Sequence, residues 1–176
     1  MYTNFTNLSG KKGKLSYNTF YNFKKGSGFR ENSGFQSNNF FINLAYDLNQ
    51  KSKISLELTY FNYLAQQAGG LNDKMFENDP FQSNRSRNWF DVDWLLYNIH
   101  YENRLSEKTN FSFSFFGLNA SRKALGFRVN RVDQPDALGV RDLYVGDFNN
   151  FGFETRLLSE YTCLLYTSPS PRDTNE

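Results

Sequence analysis

Alternation with a period of two runs through most of this chain. From Phe40 to Leu48 the positions Phe40, Ile42, Leu44, Tyr46 and Leu48 are apolar, while Asn43 and Asp47 fall between them. Ile54, Leu56, Leu58, Tyr60 and Leu64 then oppose Ser55, Glu57 and Thr59, and Leu95, Tyr97, Ile99 and Tyr101 oppose Asn98, His100 and Glu102. Phe111, Phe113 and Phe115 oppose Ser112 and Ser114 in the same way. Near the two ends, Leu15, Tyr17, Tyr21 and Phe23 oppose Ser16, Asn18 and Asn22, and Phe151, Phe153 and Leu157 oppose Glu154, Arg156 and Glu160. Successive side chains of a strand point to opposite faces, so each segment predicts a strand with one apolar and one polar face. The segments have about the length, ~9–11 residues, with which a tilted strand crosses a bilayer.

The connections alternate as well. LNQKSK at 48–53 and LSEKT at 105–109 are tight and polar, whereas the joins at 24–36, 65–90 and 121–147 are long. Short turns on one rim and long loops on the other, with antiparallel strands, predict an all-β fold: part of a transmembrane barrel with periplasmic turns and extracellular loops. A soluble β-sandwich shares the period of two. The barrel is favoured by a polar face rich in Asn, Asp, Glu and Ser with interspersed aromatics, as a wet lumen requires, and by tyrosines toward the ends of the apolar rows. About seven strands of ~9–11 residues fit into residues 1–162 if Tyr2 to Leu8 ends an earlier strand. Barrels with loops this long close with about 22 strands, so the chain is expected to be a fragment.

Aromatic residues make up 18% of the sequence, yet the mean hydropathy is −0.67. No run of ~18 apolar residues exists, so no transmembrane helix is written in the chain. Met1 is followed by YTNFTNLSGKKGK, which lacks the apolar core of a signal peptide. The run CLLYTSPSPRD from Cys163 to Asp173 can be encoded by codons that resemble a transposase adapter from a sequencing library, so residues 163–176 are expected to be a non-native tail. The tail holds the only cysteine, and its removal changes the formal charge from +2 to +3, too small a bias to imply nucleic acid.

Catalytic chemistry finds no footing, and no enzyme, metal or cofactor is expected. His100 is the only histidine and alternates onto the polar face near a short turn, where a hydrogen-bonded wall residue is expected. GKKGK at 10–14 lacks the glycine spacing of a phosphate loop and lies at a turn. Metal-ligand spacings are absent. Function is expected on the long loops, which carry more Lys and Arg than Asp and Glu. A basic mouth suits anionic ligands, and an arginine fork can bind both oxygens of a carboxylate. Within the segment QQAGGLNDKMFENDPFQSNRSRNWF, residues 66–90, Asn72 can cap a short helix over Asp73–Glu77, Pro80 stops it, and Gly69-Gly70 supplies the turn into it.

This segment resembles a loop of the TonB-dependent outer-membrane receptors, in particular the group similar to ferric-dicitrate receptors. The resemblance lies in Ala68-Gly69-Gly70-Leu71, Phe76 to Asp79-Pro80, Gln82-Ser83-Asn84-Arg85 and Arg87-Asn88-Trp89-Phe90, flanked by KKGSGFRENSGF at 24–35 and FFGLNASRKALGF at 115–127. It implies an outer-membrane barrel with an N-terminal plug, energised by an inner-membrane TonB complex, that takes up an iron chelate or siderophore. Arg85, Arg87 and Asn88, with Gln66 and Gln67 at the start of the loop, are the candidate ligand contacts. A passive pore or a surface-adhesion barrel is the competing reading, and a plug with an energy-coupling segment separates the two.

Overall fold

A computed structural model describes residues 1–127 and 131–161. The expected non-native tail, residues 163–176, lies outside the described residues, as does Arg128. Seven strands form one sheet in the order β1-β2-β3-β4-β5-β6-β7, each antiparallel to the next. They are β1 (Tyr2–Lys12), β2 (Leu15–Gly26), β3 (Phe35–Asp47), β4 (Ser52–Gln66), β5 (Trp89–Arg104), β6 (Thr109–Leu125) and β7 (Leu143–Ser159), with one helix, α1 (Asp73–Asn78), between β4 and β5. The sheet does not close: β1 and β7 are its two edges. The first strand runs to Lys12 rather than stopping at Leu8, so within GKKGK only Gly13 and Lys14 form the turn.

The register carries the alternation across the whole wall. Leu44, Leu56, Ile99, Phe115 and Phe153 are successive cross-strand partners, and the neighbouring row runs Asn43, Glu57, Asn98, Phe116, Gly152. A one-residue slip would exchange the two faces, so the pattern fixes the pairing. The largest buried apolar residue among those described is Val92, and the others are alanines, while Leu56, Phe113, Phe151 and Phe153 lie exposed along one face. A β-sandwich buries large inward side chains between two layers. This sheet is a single layer, the wall of a barrel whose apolar face has nothing of its own to cover it.

The strands outrun the expected span. β6 and β7 each have 17 residues, more than the ~9–11 that a membrane needs. Lys24, Lys25, Arg122, Lys123 and Asp147, expected in loops, therefore sit in ladder. On the apolar face the row Tyr21, Phe40, Tyr60, Leu95 is followed toward the long loops by Asn38, Asn62, Asp93, Ser121 and Asp147. Tyr21 Oη donates to Asn38 Oδ1 at 2.9 Å and Tyr60 Oη to Asp93 Oδ2 at 2.7 Å. The tyrosine rings thus lie along the apolar rows while their hydroxyls turn to the polar row beyond, the arrangement an aromatic girdle has.

Glycines opposite aromatics complete the apolar surface. Gly117 pairs with Tyr97, whose ring and hydroxyl occupy the place that a Cβ would take. A ring laid over a cross-strand glycine shields its backbone. Gly117→Val is expected to displace the Tyr97 ring and lower stability by about 1–3 kcal/mol, the usual cost of overpacking. The urea midpoint of the intact barrel protein measures this, and an unchanged midpoint would show the ring free to swing away.

Candidate ligand-binding mouth

Three long loops lie on one rim: 27–34 between β2 and β3, 67–88 between β4 and β5, and 126–142 between β6 and β7. The first is tied to the second by two side chains acting on backbone carbonyls. Arg30 donates through Nε to Gln82 O at 3.0 Å and through Nη1 to Gly69 O at 2.7 Å. Asn32, at φ 49, directs Nδ2 at Gln67 O (3.1 Å), Asn88 O (3.2 Å) and Arg85 O. Asparagine tolerates the left-handed conformation better than other side chains except glycine, which explains its place at this corner.

The middle loop is ordered by its own caps. Asn72 Oδ1 accepts from Met75 N at 2.9 Å and starts α1, as the sequence predicts. Asp79 N donates to Met75 O at 3.0 Å and closes it. The chain then turns away at Pro80, and Gln82 Nε2 satisfies Met75 O and Asp79 O. Gly69 has φ +76, and a Cβ there would run into Asn84 Oδ1 and Arg85 Cγ. Only glycine allows the two limbs of the loop to approach so closely.

The middle loop in turn holds the third. Asn84 Nδ2 donates to Val132 O at 2.9 Å, and Asn88 Oδ1 accepts from Phe127 N at 3.1 Å. Arg85 is 4% exposed. Its guanidinium donates to Asn84 O, to Gln134 O at 3.2 Å and to Val132 O at 3.4 Å, with its Cζ 5.3 Å from the Phe127 ring centroid. Arg87 Nη2 meets Asp136 Oδ1 at 3.1 Å, and its Nη1 donates to Gly139 O at 3.2 Å.

Asp136 is the focus of this rim. Its Oδ1 accepts from Arg87 Nη2 and the Leu138 N–H and forms an ion pair with Arg141. Arg141 Cζ lies 4.0 Å from the Phe127 centroid, on the ring that Arg85 also covers. Two guanidinium groups, Arg87 and Arg141, therefore meet on one carboxylate, and two, Arg85 and Arg141, on one aromatic face. Burial, and after it the Arg87 and Arg85 guanidinia, lower the pKa of Arg141 from its ordinary value. Arginine stays protonated regardless, so the effect is a concentration of positive charge. Asp136 Oδ2, Arg87 Nε, and Nε and Nη2 of Arg141 are buried without a hydrogen-bond partner.

The five residues singled out from sequence are thus placed differently. Arg87 keeps a side chain 35% exposed beside Asp136. Gln66 and Gln67 are exposed at the top of β4, Gln66 Oε1 accepting from Gly34 N at 3.0 Å and Gln67 N donating to Asn88 O at 2.9 Å. Arg85 and Asn88 face inward, on backbone groups of the third loop. Arg30, Asn32, Phe127, Asp136 and Arg141 were not singled out, although all but Asn32 and Phe127 could be found as charges within long loops. His100 stands on the polar face as expected, its Nδ1 2.7 Å from Ser114 Oγ and its Nε2 3.0 Å from Glu102 Oε1.

No protein-family model and no curated protein sequence matches the chain. Among solved structures it is similar to the ferric citrate transporter FecA in its unliganded form, with a TM-score of 0.79 and 19% sequence identity over 92% of this chain. The chain spans 23% of the length of that transporter. At this identity the likeness is one of fold, and it agrees with the reading of the sheet as part of a barrel wall.

Proposed function

We propose that this chain forms part of the wall and mouth of an outer-membrane receptor that takes up an anionic ferric chelate, ferric dicitrate or another carboxylate-bearing siderophore. The observation that carries the reading is the clustering of three arginines at the long-loop rim, Arg87 and Arg141 on the Asp136 carboxylate and Arg85 and Arg141 on the Phe127 ring. Guanidinium forks match carboxylate oxygens in geometry and charge. The likeness to a ferric citrate transporter supports the same class of cargo. Of the sequence-derived contacts, Arg87, Gln66 and Gln67 take the ligand-facing role, while Arg85 and Asn88 hold the loop that completes the mouth.

In this reading the apolar face lies against outer-membrane lipid. Both sheet edges are then paired by further strands, because an open edge cannot be satisfied in hydrocarbon. A plug within the barrel couples uptake to an inner-membrane TonB complex. The test is ferric dicitrate binding to the intact receptor, alongside a neutral siderophore as control. Arg87→Ala is expected to weaken the anionic chelate by about tenfold or more, the worth of one charge-assisted hydrogen bond. Gln66→Ala and Gln67→Ala should have smaller effects. Binding of no ferric chelate by the wild-type receptor would sink the iron reading.

A further inference from the structure

We infer that Asp136 is an internal stand-in for a ligand carboxylate, a specificity-determining residue that fills the arginine site until a polycarboxylate replaces it. The inference rests on the reading of this rim as an anion-binding mouth. The Asp136 side chain is 9% exposed, and one of its oxygens accepts from Arg87 and the Leu138 amide and pairs by charge with Arg141. Its second oxygen finds no hydrogen-bond partner, and neither do Arg87 Nε and the Nε and Nη2 of Arg141. A single aspartate carboxylate therefore neutralises the cluster only in part and leaves donors unmet.

The missing acceptors define what fits better. Two arginine forks present parallel N–H pairs, each suited to both oxygens of one carboxylate. A ligand carrying two or more carboxylates can serve both forks, which Asp136 cannot do from one backbone position. Monocarboxylates gain little over the residue already in place, so Asp136 selects for multiply charged ligands. The exchange also releases a tether, because Asp136 joins the third loop to Arg87 on the second. Arg85 continues to hold that loop through Val132 and Gln134 and Arg87 Nη1 through Gly139 O, so the segment from Asp136 to Leu138, whose amide loses Asp136 Oδ1, is the part set free.

The experiment uses the intact receptor with metal-free citrate as the probe, compared with acetate, and reads affinity together with amide hydrogen exchange over residues 131–142. Asp136→Asn should bind citrate about tenfold more tightly than wild type, because the site is no longer occupied from within for most of the time. Citrate should raise exchange near residues 136–138 in the wild type, whereas in Asp136→Asn exchange starts high and citrate leaves it unchanged. Asp136→Glu should restore the wild-type pattern, which a general loss of folding would not. Unchanged or weaker citrate binding by Asp136→Asn, no citrate binding by either protein, or bound citrate without a change in exchange would each overturn the inference. Ferric chelate binding equal in wild type and Asp136→Asn would overturn it while leaving the receptor function standing. Citrate exchange as expected with no ferric chelate bound would do the opposite.

Discussion

Replacing Leu56 by arginine is expected to destabilise the intact barrel by about 2–4 kcal/mol, the cost of a cation on a lipid-facing position near the bilayer midplane. Leu56 lies in the middle of the apolar face, between its cross-strand partners Leu44 and Ile99. Its row neighbours Leu44, Ile99 and Phe115 are apolar. Glu57, one residue on, points to the other face and accepts from Asn43 Nδ2 at 3.3 Å. Glu57→Arg and Asn43→Arg should therefore be tolerated, as substitutions in a wet lumen are. Urea midpoints of the folded receptor, together with the heat-modifiable band on gels, compare the three variants. Sensitivity at Glu57 with tolerance at Leu56 would invert the assignment of faces for the entire sheet, since the register links all seven strands.

Arg85→Ala is expected to open the third loop whether or not ligand is present. The buried guanidinium bonds three carbonyls, two of them on that loop, and hydrogen bonds to a charged group contribute about 1.5–3 kcal/mol each. Loss of the pair across the loops should favour the open form by about a hundredfold or more. Arg85→Lys should rescue little, because one ammonium group cannot span the carbonyls that a planar fork reaches. Limited proteolysis between residues 131 and 142 of the ligand-free receptor measures the effect. Arg87→Ala serves as the contrast, since its half-exposed side chain should affect anion affinity more than loop protection. Equal protection in wild type and Arg85→Ala would return Arg85 to the list of direct ligand contacts.

The legible part of this protein was the part governed by short-range rules. Alternation of Leu44, Leu56, Ile99 and Phe115 against Asn43, Glu57 and His100 determined strands, faces and, through the cost of a slip, the register. Asn72, Gly69 and Pro80 marked the cap, turn and stop of α1 because each acts within a few residues of itself. The strands run past their expected ends at Lys24, Arg122 and Asp147 because a ladder continues as long as its partner does, and polarity alone does not end it.

The mouth was a matter for the tertiary structure. Arg30, Asn32 and Arg85 act on backbone carbonyls, and every residue has a carbonyl, so no side-chain pattern can announce the partner. Arg87 and Asp136 meet across a separation of 49 residues. Their meeting follows from the β5–β6 ladder, which sets Trp89 opposite Leu125 and so brings the ends of the second and third loops together. The sequence by itself determined amphipathic β strands with long loops on one rim, since period and local caps are properties of neighbouring residues. Which arginines hold the loops and which remain partly open to a ligand was decided only when the paired strands brought distant carbonyls and one carboxylate within their reach.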